Sequence, residues 1–308
     1  MTTRVFIDGA AGTTGLEIHQ RLATRDEFDL IVLGEDRRKD ETARREALHE
    51  ADVAILCLPD AAAREAVKLA HGSDTRIIDA SSAHRVAEGW TYGFPEIIGH
   101  DEIANARLVS NPGCYPTGFL ALIAPLVRAG MLPADWPYTV NAVSGFSGGG
   151  KALIERFEDE AEIAFRSYGH DLAHKHRPEM RVHAGLKHEV LFAPAVVPAF
   201  RGMHVEVPLH LGAMNTNPSA DDLRAQLVER YQGSRVVRVD TAPAPAELVL
   251  RDNAPGHDGL ELYVFGNEGG WNARLIARLD NLGKGASGAA IQNLNIMCGL
   301  PEGTGLRL

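Results

Sequence analysis

The apolar positions fall into two regimes along the chain. In the first third they come as short continuous runs, at residues 4–8, 28–33, 52–58 and 76–79, separated by segments with helical spacing at 14–23, 39–49 and 61–71. A strand that is apolar at consecutive positions is buried on both faces, so this alternation predicts a parallel sheet with helices on each side. A further short run, Leu108-Val109-Ser110, passes through Asn111-Pro112-Gly113 into an apolar helix that opens at Cys114 and ends near residue 130. In the second half, strands are expected at 138–144, 190–197, 203–211, 235–240, 260–266 and 273–280, with one helix at 221–231. Many strands with few helices predict a separate α+β unit. The last element has a glycine-rich start and an apolar helical face of Ile291, Leu294, Met297 and Cys298, which predicts a return of the chain to the first unit. The expected organisation is therefore a Rossmann-like dinucleotide-binding domain over 1–132, an α+β catalytic and oligomerisation domain over 133–280, and a C-terminal segment, 281–308, packing back on the first.

Composition narrows the class. Of 308 residues, 45% are hydrophobic and 23% charged, which fits a globular protein with a large core. The formal charge, 31 − 41 = −10, disfavours a nucleic-acid or anionic-membrane partner. Cys57, Cys114 and Cys298 lack the spacing of a disulfide framework or zinc cluster, and an odd count fits a reducing cytoplasm. The N-terminal strand begins too early for a leader, and no run of about 18 apolar residues exists to span a membrane. Apolar sheet surface in the second unit favours self-association as a dimer or tetramer.

The candidate chemistry clusters at strand ends. Gly9, Gly12 and Gly15, with Thr13 and Thr14, form a G-x-x-G-x-x-G turn between the first strand and helix, where small residues let a pyrophosphate approach the helix N-terminus. Ligands of such sheets sit at the carboxyl ends of the strands, so Gly9, Leu58-Pro59, Ser81-Ser82 and Cys114 are expected to converge on one crevice. Glu35 stands where an acid would bind the ribose hydroxyls of NAD, and Arg37 or Arg38 where a guanidinium would clamp the 2′-phosphate of NADP; both readings stay open. In the loop 79–85, Arg85 with neighbouring hydroxyls suits a phosphate or carboxylate.

Cys114 begins a helix, where unpaired N–H groups and the macrodipole stabilise a thiolate. The stretch Ser144-Gly145-Phe146-Ser147-Gly148-Gly149-Gly150-Lys151 is an anion-binding nest or a hinge, without P-loop spacing. Residues 168–179 hold His170, His174 and His176; no cysteine or carboxylate at ligand spacing supports a metal, so none is expected, and a histidine that takes and returns the proton of a thiol is the simpler use. Asn281 either meets the nicotinamide end of a cofactor or caps the last helix.

Together, N-P-G-C-Y-P-T at 111–117, H-x-H-x-P-E at 174–179 and D-N-L-x-K-G at 280–285 resemble the N-acetyl-γ-glutamyl-phosphate reductase family in its shorter form, within the aspartate-semialdehyde dehydrogenase-like superfamily. The resemblance spans nearly the whole chain. It implies an enzyme of arginine biosynthesis that uses NADP(H) to reduce a small acyl phosphate to an aldehyde through a thioester on Cys114, with His174 as acid/base. It further implies a substrate site lined by Arg85, Asn111, Ser144, Gly145, Tyr168, His176 and Glu179, and a cofactor site drawing on Gly9, Gly12, Thr13, Thr14, Gly15, Arg37, Arg38, Ser81 and Asn281. The spacing of the glycine turn and the nearby Glu35 leave cofactor preference less defined than the chemistry. A sister reductase acting on carrier-bound aminoadipyl or glutamyl phosphate, or on aspartyl phosphate, is the nearest rival. A cysteine–histidine hydrolase or acyltransferase working without hydride is the rival from another class.

Overall fold

The computed structural model describes residues 2–308. The chain forms two compact units, one running to Gly113 and resumed over Ala286–Leu306, the other Cys114–Gly285 with Arg307–Leu308.

In the first unit, β1 (Thr3–Asp8), β2 (Phe28–Ile31), β3 (Val53–Leu56), β4 (Arg76–Asp79), β5 (Thr91–Tyr92) and β6 (Leu108–Ser110) make one sheet in the order β2-β1-β3-β4-β6-β5. All its pairings are parallel. Helices α1 (Thr13–Leu22), α2 (Glu41–Glu50), α3 (Asp60–Leu69), α4 (Pro95–Ile98) and α5 (His100–Asn105) connect the strands. The sheet is covered on both faces, which is why its strands read as unbroken apolar runs. Val5 and Ile7 of β1 join Ile18 and Leu22 of α1 in one core, while Phe6 between them joins Leu48 of α2 and Ala66 of α3 in another. Helix α2 starts where the Asp40 carboxylate accepts the Ala43 N–H at 2.7 Å. Strand order reverses between β1 and β3, so the turn after β1 stands at the switch point where such sheets take ligands.

The second unit opens with α6 (Cys114–Arg128) and continues through β7 (Thr139–Gly145), α7 (Lys151–Asp159), β8 (Arg166–Ser167), α8 (Arg177–Ala184), β9 (Leu191–Val197), β10 (Met203–Leu209), α9 (Ala220–Arg230), β11 (Val237–Val239), β12 (Leu260–Gly266) and β13 (Ala273–Leu279). Its strands form one mixed sheet, β11-β12-β13-β10-β7-β9-β8. Helix α6 is buried from Tyr115 to Leu126. It lies close on β10 and β13 because position 118 is glycine: a Cβ there would stand 2.8 Å from the Val205 side chain and 3.2 Å from that of Ala277. This places the end of the first stretch at Gly113 rather than at residue 132, since α6 serves the second sheet. The other face of that sheet carries Asn141, Ala193 and Arg274, all exposed, and Leu191 at 51% exposure.

At Ala286 the chain rejoins the first unit, later than residue 281, and forms α10 (Gly288–Met297). Ile291 and Leu294 of α10 share the core of Val5 and Ile7. Residues 307–308 belong to the second unit, where the Arg307 N–H donates to the Asp258 carboxylate at 2.7 Å. Among the described residues, no helix is long and apolar enough to cross a membrane.

Candidate active site

The turn after β1 packs its backbone too closely for side chains at two of its glycines. Gly9 has φ +92°, and a Cβ at Gly9 would stand 2.3 Å from the Cys57 carbonyl oxygen; a Cβ at Gly15 would stand 2.3 Å from that of Gly9. The Gly12 N–H closes the turn on the Gly9 carbonyl at 3.0 Å, and α1 then begins at Thr13 with no side chain capping it. N–H groups of a helix start left uncapped by side chains are an anion site, so Gly9, Gly12, Thr13, Thr14 and Gly15 fit a dinucleotide pyrophosphate. Beneath the turn, both Nε and a terminal nitrogen of Arg44 donate to one Asp8 oxygen, at 3.1 and 2.8 Å. Burial raises the Asp8 pKa, and Arg44 opposes that rise. Sequence reasoning missed this pair, because an arginine on α2 reads as a surface position.

Arg37 and Arg38 lie in the exposed loop after β2. Arg38 pairs with Glu35 at 3.0 Å and Arg37 with Glu46 at 3.3 Å. After β4, the buried Asp79 accepts from the Ser81 hydroxyl at 2.8 Å and its N–H at 2.9 Å, and meets Nδ1 of His84 at 2.6 Å. The His84 ring stacks on Trp90 with centroids 4.1 Å apart. Ser81 thus spends its hydroxyl on Asp79. The buried Arg85 donates to the carbonyls of Asn111 at 3.0 Å and Ala80 at 3.1 Å. The Asn111 side chain donates to the Ala286 carbonyl at 3.0 Å and accepts from Asn293 at 3.1 Å. Arg85 and Asn111 are therefore parts of one network within the first unit.

The second unit holds the thiol. Cys114 is a free, half-buried cysteine at the first position of α6. Gly285 presses on it: a Cβ on Gly285 would lie 2.9 Å from the Cys114 Cβ. Gly285 reaches that position through a π-type turn in which its N–H bonds the Asp280 carbonyl five residues back, at 3.0 Å. The next residue along α6, Tyr115, is buried and packs edge-on against His174, with centroids 6.2 Å apart, and against Phe192 at 5.0 Å. The Tyr168 ring lies 5.7 Å from His174, and His176, also buried, lies 4.8 Å from it.

Electrostatics sort these groups. Burial, with Tyr168 and then Cys114 acting in the same sense, raises the Tyr115 phenol well above its ordinary range; burial also pushes Tyr168 up to about 12 against the opposing hydrogen bond to Tyr115, so both stay protonated. Burial pushes His174 down to about 4, with Lys175 acting in the same sense and Asp171 against it. The charge of Cys114 therefore acts on both phenols, and both phenols pack on His174. Glu179 is buried in the first turn of α8.

The other predicted residues of this unit brace its loops. The Ser144 hydroxyl donates to the Gly145 carbonyl at 2.9 Å, and a Cβ on Gly145 would stand 2.6 Å from the Ala199 carbonyl oxygen. Asn281 accepts the Gly202 N–H at 2.9 Å and donates to the Ser147 hydroxyl at 2.9 Å, so both ends of its amide are used within the second unit. Tyr115 and Gly285 are the neighbours that sequence reasoning passed over. The signal for Tyr115 was a hydroxyl inside an otherwise apolar helix, next to the cysteine.

Two family models match the chain: the semialdehyde dehydrogenase NAD binding domain over residues 4–106, and the semialdehyde dehydrogenase dimerisation domain over residues 114–281. The chain is 48% identical to N-acetyl-gamma-glutamyl-phosphate reductase 2 of a Nostoc species, covering 98% of this chain and 99% of that one. It is 48% identical to the N-acetyl-gamma-glutamyl-phosphate reductase of Brucella ovis, covering 97% and 100%. In fold it is similar to aspartate semialdehyde dehydrogenase II of Vibrio cholerae, with TM-score 0.72, 18% identity and coverage of 97% and 99%. It is also similar to the aspartate semialdehyde dehydrogenase of Francisella tularensis, with TM-score 0.73, 15% identity and coverage of 96% and 100%.

Proposed function

The chain belongs to the semialdehyde dehydrogenase family, and on that premise we propose that it carries out NADPH-dependent reductive dephosphorylation of N-acetyl-γ-glutamyl phosphate, giving N-acetyl-L-glutamate 5-semialdehyde and phosphate in arginine biosynthesis. The observation that carries the chemistry is the half-buried Cys114 thiol on the first turn of α6, in the same unit as the ring-packed His174. The substrate reading is supported by the relatives of 48% identity that bear the name of this reductase.

In this reading the helix start stabilises the Cys114 thiolate, which adds to the acyl carbon. Backbone N–H groups at that turn hold the tetrahedral oxyanion, a contribution of about 3 kcal/mol per donor. Phosphate leaves and a thioester remains on Cys114. NADPH, when bound, supplies the hydride that reduces this thioester. The resulting thiohemiacetal collapses because a thiolate departs readily, which a serine alkoxide would not. His174 handles the proton at the reacting oxygen. Tyr168, His176 and Glu179 support or line the substrate site, and Arg85 and the Ser144 loop hold phosphate or carboxylate groups. The glycine turn takes the pyrophosphate, with Arg37 and Arg38 nearest the 2′-phosphate. We place the enzyme in the cytoplasm, where three free thiols are at home. We take it as a homo-oligomer that pairs through the open face of the second sheet, because the model matched over 114–281 is a dimerisation domain.

The test is the reverse reaction. N-acetylglutamate semialdehyde, phosphate and NADP⁺ should give NADPH absorbance, lost without phosphate and lost in Cys114→Ser. Equal rates with aspartate semialdehyde would overturn the substrate assignment.

A further inference from the structure

One histidine of the first unit stands outside the mechanism above. Asp79 is wholly buried, and three donors converge on it: the Ser81 N–H at 2.9 Å, the Ser81 hydroxyl at 2.8 Å and Nδ1 of His84 at 2.6 Å. The Ser81 hydroxyl also accepts the Ala83 N–H at 3.1 Å, so its own proton goes to Asp79. With both carboxylate oxygens accepting, His84 meets Asp79 as Nδ1–H, and Nε2 is the nitrogen that can give or take a proton. The ring lies flat on Trp90, with the two planes 9° apart. Among the described residues, no group hydrogen-bonds Nε2 of His84.

The loop that carries this ring follows β4, two strands from the glycine turn in the sheet order, and ligands of such sheets gather at the carboxyl ends of the strands. The loop is also stiff: the Ser82 N–H and hydroxyl both donate to Asp60, at 3.0 and 2.9 Å, and the buried Arg85 is fixed on the Asn111 carbonyl. We propose that His84 is a second acid/base residue, serving the phosphate group. Its Nε2–H protonates the phosphate as it leaves, and Asp79 fixes the ring and balances its charge. This rests on the acyl-phosphate reading above, in which Arg85 of the same loop holds phosphate or carboxylate groups.

The balance of the reaction calls for a proton at that place. Near neutral pH an acyl phosphate is a dianion, and breaking its C–O bond with the electron pair going to oxygen gives trianionic phosphate, whereas free phosphate keeps a proton. The acyl oxygen takes up no net proton, because each tetrahedral adduct collapses to a carbonyl again. One proton per turnover therefore goes to the phosphate. In the step itself the Cys114 thiolate forms the C–S bond, the C–O bond breaks, and the departing oxygen takes the Nε2 proton. The doubly protonated ring becomes neutral, keeps Nδ1–H on Asp79 and regains its Nε2 proton from water. In reverse, the Nε2 lone pair takes the proton of phosphate as phosphate attacks the thioester.

The reverse reaction separates this role from a structural one, because only one of its two steps involves phosphate. In rapid mixing at high enzyme concentration without phosphate, N-acetylglutamate semialdehyde and NADP⁺ should give a burst of one NADPH per Cys114 thiol and then stop. Forming the thioester makes no use of His84, and its attack by phosphate does. His84→Gln should therefore keep the burst rate within about twofold of wild type while phosphate-dependent turnover falls about 10²- to 10⁴-fold. His84→Phe keeps a ring on Trp90 and should show the same split, which covers the case of a glutamine variant that does not fold. Turnover near wild type in a folded variant, or a burst slowed as much as turnover, would overturn the proposal. Wild-type enzyme that gives no burst with this semialdehyde fails the substrate assignment instead, and the split is then read with the aldehyde that does give one.

Discussion

The Tyr168 hydroxyl donates to the Tyr115 hydroxyl across 3.2 Å, and the Tyr115 hydroxyl donates in turn to the Ala195 carbonyl across 3.2 Å. A carbonyl only accepts, so both bonds are made by one polarity of the chain and no other. The bonds tie helix α6 to the segment that carries His174. Tyr115→Phe keeps the ring and removes both bonds, leaving the Tyr168 proton without its acceptor. We expect an unfolding free energy lower by about 1–2 kcal/mol in urea titration. Because the two hydroxyls act as one unit, Tyr168→Phe added to Tyr115→Phe should cost less than the sum of the two alone. Strict additivity would show that the hydroxyls act independently.

Gly285 sets the seat of the Cys114 thiol. The Cβ of an alanine there would lie 2.9 Å from the Cys114 Cβ and 3.1 Å from the Asp280 carbonyl oxygen, so one of them must move. Displacing a reacting group by about 1 Å costs on the order of 10² in rate. Gly285→Ala should therefore fold, lose turnover on that scale and change the rate at which iodoacetamide alkylates Cys114. Wild-type turnover in this variant would show that the turn does not position the thiol.

The sheets were legible because burial on both faces writes itself into β1 and β3 as unbroken apolar runs, and Cys114 was legible because the helix start follows a proline–glycine turn. The boundary was not. Helix α6 is buried from Tyr115 to Leu126, so no polar stripe tells which sheet it covers, and Gly118, which fits it to Val205, looks like any helix glycine. Tyr115 and Gly285 were hidden for a related reason: their work lies in contacts with Ala195 and Cys114, residues far away in sequence or adjacent only in space.

Stability should fall on mild acidification. Burial pushes His174 and His204 down to about 4, from the ordinary 6.5 that the unfolded chain restores. The unfolded state thus binds more protons below about pH 6.5, and the stability these rings contribute, complete above that pH, drains as pH falls toward about 4. For His204, whose buried Nε2 has no hydrogen-bond partner among the described residues, the loss is on the order of 2 kcal/mol after allowing for its partial exposure. Urea unfolding at about pH 7 and about pH 4.5 should record it, and His204→Gln should flatten the slope. An unchanged slope in that variant would assign the acid sensitivity to other groups.

We propose that cofactor preference turns on Glu35 and Arg38. Their ion pair at 3.0 Å places an acid suited to ribose hydroxyls against the guanidinium suited to a 2′-phosphate, in the loop after β2. The Glu35 side chain is 81% exposed, so the pair is weak and can open when a phosphate arrives. Arg38→Ala should then raise KM for NADPH about tenfold while leaving KM for NADH nearly unchanged. Glu35→Gln should do the reverse, lowering KM for NADPH severalfold by freeing Arg38 and weakening NADH through the lost ribose contact. Steady-state kinetics with both dinucleotides checks each arm. If Arg38→Ala leaves the NADPH constant unchanged and Arg37→Ala raises it, the phosphate clamp belongs to Arg37, whose partner Glu46 stands at 3.3 Å on α2.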